Sequence, residues 1–109
     1  MSEWNALINL KQTKYIPLDR LKERSKKVTI VYIFVADYCG HCKEFKKNTY
    51  DRLVAKIENT CEYKLCDVGE SDYYLKMLQS AKVERIPSII VFNQGIMKVY
   101  TPDEFMEKF

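Results

Sequence analysis

Cys39 and Cys42 are the residues here whose types and spacing could do chemistry, with Gly40 and His41 between them. They stand directly after an uncharged run, Val-Thr-Ile-Val-Tyr-Ile-Phe-Val-Ala over residues 28–36, and directly before a helical pattern. A helix beginning at this point turns its free backbone N–H groups and positive dipole end toward Cys39. Such settings lower a cysteine pKa from about 8.5 into roughly 3.5–7.5. His41 adds positive charge when protonated and pushes the same way. Cys39 is therefore the expected nucleophile. Cys42 lies nearly one helical turn on, so its sulfur can reach the first. Attack by Cys39 on a substrate disulfide would form a mixed disulfide. Cys42 would resolve it, leaving a Cys39–Cys42 disulfide and a reduced substrate. The reverse order oxidises a dithiol.

Two blander readings compete. Structural zinc usually takes two such ligand pairs, whereas His41 is the only histidine in the sequence. No metal is expected. Inert core thiols are the other alternative, but a Cys-x-x-Cys on a strand-to-helix turn within a βαβ pattern argues for redox work. The remaining cysteines, Cys61 and Cys66, sit in a strand pattern over 61–68. Five extended residues span roughly 16 Å, and disulfide Cα atoms must lie within about 7 Å. These two are expected to stay unpaired and to serve as core residues on opposite strand faces.

The elements around the pair follow from periodicity. The charge-free run of 28–36 predicts a strand buried on both faces, hence central in its sheet. Phe45, Thr49, Leu53 and Ile57 recur at fourfold spacing, with Lys43, Glu44, Lys46, Lys47, Asp51 and Arg52 outward, which predicts one long helix. Ser71 or Asp72 caps a helix over 72–81, with Tyr74, Leu75, Leu78 and Ala81 on one face. Residues 88–92 and 96–100 predict a hairpin about Asn93-Gln94-Gly95. Thr101, Pro102 and Glu104 form the start of a last helix, a capping box with proline at the first position and Phe105, Met106 and Phe109 inward. Upstream, 15–18 predicts a short edge strand and Asp19 the cap of a helix over 20–27. Residues 2–10, with Trp4, suggest a short helix. The predicted order β, α, β, α, β, α, β, β, α implies a central mixed sheet flanked by helices, an α/β fold.

Bulk properties bound the function classes. A chain of 109 residues suits a single domain over 1–109, with 1–13 as an N-terminal extension. A net charge of +3, from 18 basic and 15 acidic residues, is too mild to argue for nucleic acid or a membrane surface. No window approaches the roughly 18 apolar residues of a membrane span. The N-terminus lacks the basic start and apolar core of a secretory signal. With two spare thiols, this points to a reducing, cytoplasmic setting; a secretory compartment or the periplasm is the alternative if a signal was removed.

The segment Val35-Ala36-Asp37-Tyr38-Cys39-Gly40-His41-Cys42-Lys43 resembles the active-site segment of the thioredoxin and protein disulfide isomerase family. Arg85-Ile86-Pro87-Ser88 is similar to that family's cis-proline loop, and Asn93-Gln94-Gly95 to its hairpin turn. The likeness runs over about 14–109. It implies the thioredoxin fold, a redox-active Cys39–Cys42 disulfide, and tuning of the couple by Gly40 and His41. It also implies a substrate groove formed by Tyr38, Ile86, Pro87 and Thr101, no cofactor, and a cis bond before Pro87. Implied partners are protein or small-thiol disulfides, with a reductase or glutathione as electron donor, for a monomeric protein of cell redox homeostasis.

Four departures stand out. Tyr38 replaces the usual Trp. Ile33 occupies the place of the family's buried acid, which helps deprotonate the buried cysteine. Lys47 replaces the helix-kinking Pro, so a straighter active-site helix is expected. Thr101-Pro102 replaces the usual Gly loop. Lys43, Lys46 and Lys47 read as a basic rim for acidic partners or, more simply, as a solvated face. The Gly-His pair points to a more oxidising couple; the spare thiols point to a cytosolic reductase. The competing class is a thioredoxin-fold binding module whose cysteines are not essential.

Overall fold

The computed structural model describes residues 16–109. Its helices are α1 (Leu18–Arg24), α2 (Gly40–Asn48), α3 (Tyr50–Ile57), α4 (Asp72–Ser80) and α5 (Pro102–Lys108). Its strands are β1 (Thr29–Val35), β2 (Cys61–Asp67), β3 (Ser88–Asn93) and β4 (Ile96–Tyr100). The sheet order is β2-β1-β3-β4. β2 runs parallel to β1, whereas β3 is antiparallel to both β1 and β4. The predicted helix over 2–10, Trp4 and Tyr15 lie outside the described residues.

β1 is central because neither of its faces can meet water. Ile30, Tyr32 and Phe34 join Leu21 of α1 and Tyr74, Met77 and Leu78 of α4 in one core layer. Val31, Ile33 and Val35 join Phe45, Leu53, Ile57 and Phe105 in the other. Fully burying each such side chain is worth roughly 1.5–3 kcal/mol, so the alternation of β1 locks its register against both layers. Cys66 lies beside Phe34 and faces the first layer, while Cys61 packs against the second.

The hairpin turn is tight, with Gln94 at φ 56° and Gly95 at φ 80°, as a primed two-residue turn requires. Ser25 pins it to α1. Gln94 N–H donates to the Ser25 carbonyl at 3.0 Å and Gly95 N–H to Ser25 Oγ at 2.9 Å. The capping box of α5 forms as expected, with Glu104 N–H donating to Thr101 Oγ1 at 3.1 Å and Thr101 N–H to Glu104 Oε1 at 2.9 Å.

Several expectations are corrected. No strand forms over the described part of 15–18: Pro17, at φ −57° and ψ 148°, precedes α1, and its carbonyl accepts the N–H groups of Arg20 and Leu21. Proline suits a helix start because its φ is preset. Asp19 therefore sits in the first turn rather than at the cap, and the helix runs 18–24, not 20–27. The long helix after Cys42 is two helices, not one straight rod. Thr49 interrupts it at φ −122°, although its N–H still reaches Phe45 O at 2.8 Å. A β-branched residue following Asn48 weakens the helix there, and Tyr50 turns edge-on to Phe45 at 6.3 Å. Leu75 of α4 is exposed and Met77 is buried instead, because a helical stripe through Tyr74 continues at Met77 and Leu78. Phe109 is 42% exposed, stacked outside Phe105 at 4.3 Å rather than buried with it.

Candidate active site

Cys39 is the N-cap of α2, at φ −98° and ψ 114°. The chain reaches it from the end of β1 through a short turn in which Cys39 N–H donates to Ala36 O at 3.2 Å. Its sulfur accepts the N–H of Cys42 at 3.1 Å, one of the donors a helix start leaves unpartnered. The same sulfur lies 3.6 Å from the Ile86 carbonyl, to which its S–H donates. Ile86–Pro87 is a cis peptide bond at the entrance to β3. Two segments 47 positions apart thus meet at one sulfur.

Cys39 is half-buried and Cys42 is wholly enclosed, and both are unpaired thiols. Burial is the main reason the Cys42 thiol is pushed up to about 11 from 9.0; its hydrogen bond to Cys39 adds to this. The Ala36 N–H and the Lys46 charge act in the opposite direction. Ile33 is fully buried in the same layer as Cys42. Among the described residues the polar or charged residues buried as a whole are Ser25 and Ser88; Glu62, one of whose oxygens is shut off from solvent, pairs with Arg24 at the far end of β1 from the cysteine pair. Cys66 is also wholly buried, and burial pushes its thiol up to about 12.

The other sequence-predicted residues take varied places. Tyr38 is 79% exposed on the rim, and His41 is exposed on the first turn of α2. Gly40 has helical backbone and open space where a side chain would begin, which leaves the approach to Cys39 unobstructed. Pro87 is half-buried beside Cys39's partner Ile86. Thr101 follows Tyr100, which pairs with Ile89, so it lies near the Pro87 end of β3; its hydroxyl oxygen is engaged in the cap of α5. The structure brings Cys39, Cys42 and Ile86 into contact; no hydrogen bond joins Tyr38, His41 or Thr101 to the sulfurs. A concavity of about 320 Å³ beside α2 is lined by His41, Glu44, Phe45, Pro102 and Asp103 among others. Among the described residues no group of three His, Cys, Asp or Glu gathers as metal ligands would. None of the described helices is long and apolar enough to cross a membrane.

Sequence reasoning missed the roles of Ser25, the Ala36 N–H and Lys46. The signal for Lys46 was its spacing, four residues after Cys42.

A mixed sheet between helix layers, with a Cys-x-x-Cys at the start of the helix after the central strand, defines the thioredoxin fold. The chain belongs to the Thioredoxin family, whose sequence profile matches residues 12–107. Its fold is similar to that of the thioredoxin NaTrxh from Nicotiana alata, at 26% identity and TM-score 0.59, covering 80% of this chain and 76% of that one. It is also similar to mitochondrial thioredoxin 3 from Saccharomyces cerevisiae in its oxidized form, at 20% identity and TM-score 0.63, covering 84% and 86%. The first thioredoxin domain of mouse protein disulfide-isomerase A4 matches at 23% identity and TM-score 0.56, over 75% of this chain and 61% of that one. No curated protein sequence matches. Family and fold together are those of thiol oxidoreductases.

Proposed function

We propose that the protein is a thiol–disulfide oxidoreductase in which Cys39 and Cys42 form the reversible couple. The observation that carries this reading is the position of Cys39 Sγ, at a helix start, accepting the Cys42 N–H and facing the Ile86 carbonyl. Negative charge on that sulfur is met by a backbone donor already in place. Cys39 attacks a substrate disulfide and releases one substrate sulfur as a thiolate. Cys42 then attacks Cys39 and releases the second. The substrate gains two electrons and two protons, and the pair becomes a disulfide. A reductase or glutathione-class thiol returns the electrons. Substrate backbone lies along Ile86, with Tyr38 and Pro87 as apolar rim and Gly40 leaving room above the sulfur. Two spare thiols, Cys61 and Cys66, favour a reducing, cytoplasmic setting and the reductase direction.

Ile33 favours a second reading, a binding module, because it removes the acid that would speed resolution. Titrating the pair against glutathione buffers, with alkylation and mass mapping, separates the two. Reversible oxidation confined to Cys39 and Cys42 is expected, near the potential of a thioredoxin at about −270 mV rather than that of an isomerase at about −180 mV. Cys39→Ser abolishes exchange, and Cys42→Ser accumulates a substrate-linked adduct on Cys39. A pair that never oxidises reversibly would sink the enzyme reading and leave the binding module.

A further inference from the structure

Resolution requires negative charge to gather on the sulfur of Cys42, which is wholly enclosed. No Asp or Glu among the described residues is buried as a whole, and Glu62, one of whose oxygens is shut off from solvent, pairs with Arg24 at the far end of β1, so no enclosed carboxylate is there to take the Cys42 proton. The charged or polar groups acting on this sulfur are the Cys39 sulfur, the Ala36 N–H and the ammonium of Lys46. The helix explains why it is this lysine. At about 100° per residue, Lys46 lies only about 40° round α2 from Cys42 and one turn further along; Lys43 and Lys47 lie about 100° and 140° away. Lys46 is exposed, and no carboxylate among the described residues holds it in an ion pair. Its charge is uncommitted and stands one turn from Cys42 on the same side of α2.

We infer that Lys46 is the positioning cation of the resolving step, stabilising the Cys42 thiolate by charge where an enclosed carboxylate would have accepted its proton. The inference rests on the reading of Cys39–Cys42 as an exchanging pair. In the step, the Cys42 proton passes to water and the Cys42 sulfur bonds to Cys39 Sγ. The bond between Cys39 and the substrate sulfur breaks, and its electron pair leaves on that sulfur, which takes up a proton. Cys39 and Cys42 end oxidised and the substrate reduced.

Dithiodipyridine, an uncharged disulfide, tests this in single turnover. With Cys61, the other partly exposed thiol, replaced by Ser throughout, the reduced full chain releases one thiopyridone as Cys39 attacks and a second as Cys42 resolves, so each step has its own phase. Lys46→Met is expected to slow the second phase roughly three- to tenfold near pH 7, the field of one partly screened charge. The pH–rate profile of that phase moves upward, and the first phase stays near the parent rate. Lys46→Arg restores the second phase, whereas Lys43→Met and Lys47→Met match the parent in both. An unchanged second-phase rate and profile in Lys46→Met overturns the inference, as does equal slowing in Lys43→Met. A parent that releases only the first thiopyridone fails the functional reading itself, which is a separate outcome.

Discussion

Cys42 and Cys66 are both enclosed, on opposite sides of the sheet, and burial pushes their thiols up to about 11 and about 12. In the unfolded chain a thiol titrates near 9.0. Between that value and the folded one, the unfolded state has lost protons that the folded state retains. Stability then falls as pH rises, by at most about 1.4 kcal/mol per pH unit for each such thiol. The reduced protein is expected to keep the full contribution below about pH 9 and to lose it progressively toward pH 11–12. Urea midpoints measured across that range check this. Cys66→Ala should flatten the slope while lowering the level by roughly 1 kcal/mol for the cavity. A slope identical to the parent's would show that Cys66 ionises as readily folded as unfolded.

At the scale of elements, the hairpin shows how a local signal and a distant one share a turn. Asn93-Gln94-Gly95 was legible in the sequence as a turn, yet Gln94 stands at φ 56°, where a side chain is disfavoured and Asn is tolerated better. Gln94→Asn is expected to stabilise the protein by a few tenths to about 1 kcal/mol. Ser25→Ala should cost about 1–3 kcal/mol, because the Gly95 N–H loses its buried acceptor. Thermal unfolding of both variants checks the pair; a neutral Ser25→Ala would mean the turn holds itself. Features carried by neighbours in sequence were legible: the charge-free run of β1, the cap of α5, and the cysteine pair at a helix start. Features carried by distance were not. Nothing near Ser25 indicates a hairpin 70 residues away. The break at Thr49 was hidden because Phe45, Leu53 and Ile57 keep their spacing across it. Pro17 looked like an edge-strand residue because proline suits both a strand edge and the start of a helix.

For the whole molecule, the two core layers show what an apolar residue at position 33 contributes in place of an internal acid. β1 is sandwiched so completely that Ile33 has no exposure and shares its layer with Cys42, Phe45, Leu53 and Phe105. A carboxylate there would exchange about 1.5–3 kcal/mol of apolar burial for a desolvated polar group costing a further 1–3 kcal/mol. The sequence favours packing at this position and leaves the proton of Cys42 to solvent and to the field of Lys46. Ile33→Asp reverses that choice and tests it. The variant is expected to be less stable by roughly 3 kcal/mol or more at pH 7, with its carboxyl held well above the usual carboxylate range by burial. Once ionised, above that raised value, the carboxyl supplies an acceptor beside Cys42 in the folded fraction, so at alkaline pH the resolving phase with dithiodipyridine should quicken and depend less on Lys46. The double variant Ile33→Asp/Lys46→Met should therefore resolve faster than Lys46→Met alone. Lower stability with no gain in that phase would mean that proton transfer from Cys42 does not limit resolution, and that Ile33 serves packing alone.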